Sequence, residues 1–389
     1  MTALHVPCDS VVAMTTPPED LKALRDALAK CDGTIVEALA ERMRLVGEVA
    51  RIKGKAGLPS FDREREGAHL DDLTQQASAL GVPLDLLRDV YGSLFAASRR
   101  SQRVSLIANA DRFSIGIIGG AHGMGAFLAR TFQSGGFDVE VNGLDEGSPS
   151  KELAARHDLV IVAVPIASTV DVIGEIASHV RKGACLIDIT SVKVEPLSAM
   201  MKHAPEGVDV VGTHPMFGPS GVDFDRQKVV LCKGRGENGF LRVKKLFELF
   251  GAEIIEAGAD EHDAQMALIQ VLVHEKTMVL GSVLERLKAN LGRSLDFASP
   301  IYRTELAMIG RMFSQGAELY ADILTSNQDA ARLSHLFEQE AAHFARAVAM
   351  ADRDTVVKRF REVAKFMSEF ATWAKKESDA ILHDLVRHG

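Results

Sequence analysis

The sequence predicts three domains in series, an all-helical amino-terminal domain, a doubly wound α/β domain and an all-helical carboxy-terminal domain, on two changes of hydrophobic period. From Pro18 to about Lys55, Leu21, Leu24, Leu28, Ile35, Leu39, Met43, Val46 and Ile52 recur at three- and four-residue steps, as along one face of a helix. After Asn109 short apolar, often β-branched runs take over, and after about Asp260 they cease. The expected boundaries are an extension over 1–17, a helical domain over 18–108, an α/β domain over 109–258 and a helical domain over 259–389.

Local signals place each element. Gly57-Leu58-Pro59 ends the first helix, Asp62 offers an N-cap with Glu64 and Glu66 in the favourable first turn, and Gly81-Val82-Pro83 separates a third helix over Leu84 to Ala108. The first helix is too long for its neighbours to cover, so a homodimer that pairs the leftover apolar faces is expected. The runs Phe113–Ile118, Asp138–Asn142, Leu159–Val164, Cys185–Ile189, Val208–Gly212 and Val229–Cys232 read as strands, most of them separated by helix-like stretches, which makes the sheet largely parallel. The last part reads as helices over Asp260–Ala289, Ile301–Phe313, Glu318–Ala349 and Arg353–Val386, with apolar faces along Leu268 to Leu287 that again favour a dimer.

Composition excludes several classes. With 389 residues, 47% apolar, 25% charged and a formal charge of -8, the chain is a globular protein without the basic face that nucleic acid or an anionic membrane requires. Anionic small molecules remain open through local cationic pockets. Cys8, Cys31, Cys185 and Cys232 form no CxxC pair, and no run reaches the roughly 18 apolar residues of a membrane span, so reduced thiols and a cytoplasmic location are expected. His262 and His274 stand twelve residues apart with no HExxH, and no metal is expected.

Two groups of residues carry chemistry. Arg42 and Lys53 are eleven residues apart, about 1100° of helix, so both cations face one trough some 16 Å long. Arg25 lies about 25 Å before Arg42 and rotated by roughly 100°, out of reach of that pocket in its own chain but available to a partner's. Ser98 and Gln102 form an i, i+4 pair on the third helix. With the spacing Arg25, Arg42, Lys53, Asp62, Arg65-Glu66, Ser98 and Gln102, the segment resembles the all-helical chorismate mutases. The resemblance implies rearrangement of chorismate to prephenate, with Arg42 and the partner's Arg25 on the two carboxylates. Lys53 and Gln102 then hold the ether oxygen, and Glu66 and the Asp62 region the ring hydroxyl. No proton moves in such a reaction, so freezing a compact conformer and placing positive charge at the breaking C–O bond suffices.

The second group begins with an apolar strand running into Gly119-Gly120-Ala121-His122-Gly123-Met124-Gly125, a glycine-rich turn that opens a helix and so suggests a dinucleotide site. Aligned on Gly120 and Gly125, the middle glycine of the fingerprint falls on His122, and the acid expected after the second strand is replaced by Gly143, with Asp145 displaced. NAD is the expected cofactor, with NADP left open by the absent acid. Thr213-His214-Pro215-Met216-Phe217-Gly218-Pro219, together with the Val164-Pro165 strand end, the Asp188 to Lys193 segment that includes Ser191, Glu261-His262-Asp263, and the segment Ser299 to Arg311, is similar to prephenate dehydrogenase. The chain from about Leu21 onward thus resembles the bifunctional chorismate mutase/prephenate dehydrogenases of tyrosine biosynthesis.

That resemblance implies that His214 takes the C4 hydroxyl proton while hydride leaves for the nicotinamide, and that Arg311 binds the ring carboxylate with Arg303 and Lys193 in support. It also implies tyrosine as a feedback inhibitor, associated with His274. Ala163 stands where the family commonly places a Ser bonded to the catalytic His, which suggests a base without its orienter. Two other readings follow from these departures: the same steps on a 4-amino-4-deoxy substrate, or an active mutase joined to a non-catalytic, regulatory α/β half.

Overall fold

The computed structural model describes residues 19–56, 63–108, 110–143, 149–219 and 223–388, and the chain divides into two compact units, Met1–Asn109 and Ala110–Gly389. Asp62 and Asp145 lie outside the described residues.

The first unit holds α1 (Glu19–Ala56), α2 (Arg63–Ala79) and α3 (Leu84–Ala108), with α3 packed against both others. Its buried residues include Ala50, Ala77, Ser98, Arg99 and Arg103, a small core with an unusual share of polar groups. Every residue of α1 from Asp20 to Ala38 is exposed, Leu24, Leu28, Ile35 and Val36 among them. The amphipathic pattern therefore extends about five helical turns beyond what the described residues of this unit cover.

The second unit is built on a seven-stranded sheet in the order β2-β1-β3-β4-β5-β6-β7. These strands are β1 (Ser114–Ile118), β2 (Asp138–Asn142), β3 (Leu159–Val162), β4 (Cys185–Asp188), β5 (Asp209–Pro215), β6 (Lys228–Arg235) and β7 (Glu253–Glu256). All neighbours are parallel except β5 and β6. β3 and β4 are buried at every residue, which is why β3 reads Leu-Val-Ile-Val and β4 Cys-Leu-Ile before its terminal Asp188, runs rather than alternation. Helices α4 (Gly123–Ser134), α5 (Ser150–Arg156), α6 (Ile166–Ile176), α7 (Val194–His203) and α8 (Glu237–Leu249) connect the strands. Val160, Val162, Ile173, Ile176, Leu186, Met200 and Val210 belong to one packed core between sheet and helices.

In register, Ile118 pairs with Val162, Val162 with Asp188 and Asp188 with Gly212, so β1, β3, β4 and β5 end along one edge. The chain leaves β1 toward β2 on one side while β3 lies on the other, and that reversal opens a crevice at the strand ends. β7 has no counterpart among the expected strands. It is a four-residue edge strand, Glu-Ile-Ile-Glu, too short and too polar to show a period.

The remaining helices are α9 (Ala259–Met266), α10 (Val273–Arg286), α11 (Leu291–Leu295), α12 (Pro300–Phe313), α13 (Ala317–Thr325), α14 (Ala330–Ala349), α15 (Arg353–Phe366) and α16 (Ala371–His388). A π-helical stretch, Ala267–Leu272, joins α9 to α10 as one rod. That rod passes for a membrane span by length and composition alone; its apolar residues are interrupted by Gln270, His274, Glu275 and Lys276, so no run of about 18 apolar residues occurs in it. Hydrogen bonds from the backbone of Lys193 and Val194 to Asp263 nonetheless tie its first turn to α7 and the α/β layer.

The single helix expected over Glu318–Ala349 is two. The break falls at buried Asn327, whose side-chain amide donates to the Asp263 carbonyl at 2.8 Å and whose Oδ1 accepts from Asp329 N at 2.9 Å. The helix expected over Arg353–Val386 also turns, at 367–370, so that α15 lies on α14 while α16 packs on α12.

Candidate active sites

The glycine turn after β1 is shaped by close approach. Gly119 has φ +85°, and a Cβ there would lie 2.5 Å from the Ala163 carbonyl oxygen; a Cβ on Gly125 would lie 2.6 Å from the Gly119 oxygen. Both Gly119 N and Gly120 N donate to the Asn142 carbonyl, closing the turn onto the end of β2. α4 then opens at Gly123, φ +55°, with His122 at the N-cap making no side-chain capping bond, so its first N–H groups are available to an anion. Met124 is half-buried in that first turn. Val164 flanks Gly119, Pro165 opens α6, and half-buried Ser191 lies in the loop after β4, along the same edge.

This narrow, glycine-rich cradle at a helix start fits the pyrophosphate of a dinucleotide. At the end of β2, Asn142 is turned inward, donating through Nδ2 to Ser150 Oγ at 2.8 Å, and Gly143 follows it. A Cβ at residue 143 would stand 3.0 Å from Ala121 Cβ, so glycine there keeps the turn close to the strand end.

His214 sits near the end of β5 and is 3% exposed. Its Nδ1 lies 2.9 Å from His262 Nε2, and His262 Nδ1 lies 2.7 Å from Asp263 Oδ1. Asp263 also accepts from Lys193 N at 2.7 Å and Val194 N at 3.0 Å. Burial pushes the Asp263 carboxyl up, but the bonds from His262 and the two backbone amides outweigh it and hold the group below the usual carboxylate range. An ionised Asp263 takes its hydrogen bond from His262 Nδ1–H. His262 Nε2 is then the acceptor, His214 Nδ1 carries the hydrogen, and His214 Nε2 is left with a free lone pair.

Burial, joined by the nearby His262 and Lys193, holds His214 well below the usual imidazole range. The result is a neutral imidazole, fixed in tautomer, with its basic nitrogen turned from the chain that orients it.

Neither His262 nor Asp263 stands out in the sequence as part of this device. The usable signal is a His-Asp pair in the first turn of a helix that follows the last strand, facing a lone His at a strand end. Replacing His262 by asparagine is expected to lower kcat of a reaction that draws on His214 Nε2 by about 10- to 100-fold, as for other partners that fix a histidine tautomer. The Michaelis constant for substrate should change little, because His262 lies on the Nδ1 side of His214, away from Nε2. A loss confined to that constant in steady-state kinetics would defeat the assignment.

Lys193 is wholly buried. Its Nζ pairs with Asp188, also donates to the Thr213 carbonyl at 2.8 Å and lies 3.3 Å from Thr190 Oγ1. The sequence reading put Lys193 beside the substrate; the structure puts its ammonium between the ends of β4 and β5, where it braces the residue before His214. Arg311 and Arg303 are exposed on α12. Arg311 lies near enough to Tyr320 of α13 to oppose the upward push of burial on that phenol, and the Tyr320 ring meets His274 edge-on at 5.0 Å. Burial holds half-buried His274 below the usual imidazole range. α13 in turn reaches the sheet edge, where Asp322 accepts from Ala167 N at 3.3 Å.

In the first unit Arg42 Nη1 donates to Ser98 Oγ at 2.6 Å, and its guanidinium lies 5.8 Å from the centre of the Phe95 ring. Gln102 Oε1 is buried without a hydrogen-bond partner, one turn beyond Ser98 on the same face of α3. Lys53 is half-buried on α1. Glu66 accepts from the buried Arg99 at 2.8 Å, a cation the sequence reading did not single out. Arg65 is exposed, as is Arg25, which stands in the uncovered stretch of α1 and is not brought to the Arg42 cluster within its chain. Asp62 lies outside the described residues.

Comparison with known proteins covers the chain in three segments. Residues 24–103 match the family model of chorismate mutase type II, 129–256 that of the prephenate dehydrogenase nucleotide-binding domain, and 258–362 that of the prephenate dehydrogenase dimerization domain. The T-protein of Haemophilus influenzae is 32% identical over 366 residues, spanning 94% of this chain and 97% of its own. That of Enterobacter agglomerans is 33% identical over 372 residues, spanning 93% and 97%. A crystal structure of prephenate dehydrogenase from A. aeolicus, in complex with hydroxyphenyl propionate and NAD+, shares the fold at a TM-score of 0.52 and 17% identity, covering 67% of this chain and 99% of that one. A near full-length match to T-proteins does not favour the amino-substrate or regulatory readings. The chain belongs to the T-protein family, the bifunctional chorismate mutase/prephenate dehydrogenases of tyrosine biosynthesis, and works as an isomerase and as an oxidoreductase with a nicotinamide cofactor.

Proposed function

We propose that His214 Nε2 is the base of the dehydrogenase and that the His214–His262–Asp263 chain, the observation that carries this reading, sets its protonation. Prephenate gives its C4 hydroxyl proton to Nε2 as hydride leaves C4, and loss of carbon dioxide aromatises the ring to 4-hydroxyphenylpyruvate. The nicotinamide, when bound, accepts the hydride. Residues Gly119, Gly120, His122, Gly123, Met124 and Gly125 hold the pyrophosphate, with Val164, Pro165 and Ser191 lining the cofactor side. Arg311 forks onto the ring carboxylate and Arg303 supports it, while Lys193 braces the strand end. His262 supplies the orientation that Ala163, lacking a hydroxyl, does not.

In the mutase, Arg42 and the partner's Arg25 hold the carboxylates of chorismate. Lys53 and Gln102 face the ether oxygen, to which the ammonium and the side-chain amide N–H donate. Ser98 positions Arg42, and Glu66, held by Arg99, faces the ring hydroxyl with Arg65 and Asp62 at the edge. The exposed first half of α1 and the dimerization-domain match both support a homodimer. The three described cysteines are unpaired, which supports a reducing, cytoplasmic setting.

We further assign NAD rather than NADP. The end of β2 offers the neutral Asn142 and Gly143, with no cation at either position to receive a 2′-phosphate. In a spectrophotometric assay with prephenate, kcat/KM is expected to be at least about tenfold higher with NAD, the worth of one lost ionic contact; an NADP preference would overturn the assignment. Chorismate consumption in the same preparation tests the mutase. Adding tyrosine tests feedback at His274: an inhibition that His274→Ala leaves unchanged removes that role.

A further inference from the structure

Arg99 stands outside the positions on which the likeness to the chorismate mutases rests, yet it is a buried cation in a unit with a small core. Its side chain is 6% exposed and that of Glu66 27%. Glu66, in the first turn of α2, accepts from Arg99 Nη1 through Oε2 at 2.8 Å. One turn further along α2, the His69 ring meets Phe95 of α3, with centres 6.1 Å apart. Glu66 and His69 share a face of α2, and Phe95 and Arg99 a face of α3, so the two contacts lock the helices in one register. The Arg42 guanidinium lies over that same Phe95 ring and donates to Ser98, the neighbour of Arg99. The ion pair therefore belongs to the wall of the Arg42 cluster.

Stability is a weak reason for such a pair, because well-packed apolar side chains in its place often serve as well. Its chemical effect is definite. Arg99 takes Oε2 and offsets the carboxylate charge, while Oε1 keeps its lone pairs for another donor. A neutral O–H is matched by that arrangement. A cation is not. An aliphatic amine is ionised at neutral pH, as a Lys side chain is. Against Oε1, such an ammonium would stand about 6 Å from the guanidinium, the span of two hydrogen bonds with the carboxylate between them. At an effective dielectric constant of about 20, the repulsion of two unit charges at that distance weakens binding about a hundredfold. Glu66 is partly exposed, and screening by water leaves about tenfold.

We propose that Arg99 selects a hydroxyl over an amine at C4 of the mutase substrate. By offsetting the charge of Glu66 from behind, it removes the attraction that a lone carboxylate holds for an ammonium. Arg99 acts through Glu66 and is a positioning residue. This rests on the reading that Glu66 faces the ring hydroxyl.

The test compares kcat/KM for chorismate and for 4-amino-4-deoxychorismate in the full-length protein. The native enzyme is expected to favour chorismate. Arg99→Gln keeps a donor to Glu66 and loses the charge, so the ratio of chorismate to amine should fall about tenfold, while Arg99→Lys should hold the native ratio. Glu66→Gln should raise it. An Arg99 that serves structure alone lowers both substrates alike in Arg99→Gln and leaves the ratio native; that result overturns the proposal and leaves Glu66 in place. Arg99→Met, of similar length and without charge, carries the same test if the Arg99→Gln chain does not fold. A native enzyme that turns over the amine as well as chorismate also overturns the proposal. A Glu66→Gln protein with native chorismate turnover and native ratio removes Glu66 from the ring hydroxyl, and the selection by Arg99 falls with that reading.

Discussion

Replacing His214 by asparagine is expected to lower prephenate oxidation by about 10²- to 10⁴-fold, the contribution of a positioned general base, while chorismate rearrangement in the same preparation continues at its native rate. Asparagine is the informative choice because its amide can still donate to His262 Nε2 in place of the imidazole Nδ1–H. It removes the basic Nε2 and little else. The pH profile of the native enzyme follows from the same geometry. Burial first, then the nearby His262 and Lys193, hold His214 well below its ordinary value of about 6.5, so the base is neutral throughout the neutral range. The acid limb of kcat/KM for prephenate should therefore fall below pH 6.5 rather than above it. The linkage has a matching sign. An unfolded His214 binds a proton as pH drops through about 6.5 and the folded one resists, so stability present above that value is lost as the solution is acidified. Urea unfolding of His214→Asn should show a weaker loss between neutral pH and about pH 5.5. Equal acid sensitivity of the two proteins, or retention of more than about a tenth of the oxidation rate, would remove His214 from the role of base.

The parts of this fold that the sequence discloses are those where one signal dominates locally. Apolar runs mark β3 and β4 because both faces of a parallel strand are covered, and Gly119 to Gly125 marks the turn because only glycine tolerates those approaches. What stays hidden depends on contacts between distant segments. His214 and His262 are 48 residues apart and Asn327 and Asp263 are 64 apart, yet these pairs determine which nitrogen is basic and where a helix breaks. No period in either segment encodes them. Lys193 illustrates the converse. The family resemblance cast it as a support of the ring-carboxylate site, and only the positions of Asp188, Thr190 and Thr213 show that its ammonium is already satisfied. Similarly, Ala163 in place of a hydroxyl reads as a loss until the second histidine comes into view against His214 Nδ1.

In the helical unit, Arg42→Ala is expected to cut chorismate rearrangement by about 10²- to 10³-fold, the cost of removing one preorganised donor to developing charge, and to leave prephenate oxidation unchanged. Ser98 already holds one arm of the guanidinium at 2.6 Å, so the remaining arms meet the ligand without first being ordered. Arg42→Lys should recover little, because an ammonium cannot hold Ser98 and a carboxylate in the same planar fork. Arg25 is expected to matter about as much although it makes no contact with the Arg42 cluster in its own chain. Its place on the uncovered half of α1 predicts complementation. In a dimer of one Arg25→Ala chain and one Arg42→Ala chain, one pocket combines the intact Arg42 of the first with the intact Arg25 of the second, and the other pocket lacks both. Random pairing of equal amounts makes half the dimers mixed, each with one working site of two, so co-refolding two nearly inactive proteins should restore about a quarter of native mutase activity. Absence of any recovery after verified subunit mixing would place Arg25 outside the partner's pocket, and the long first helix would then need another explanation for its bare apolar face.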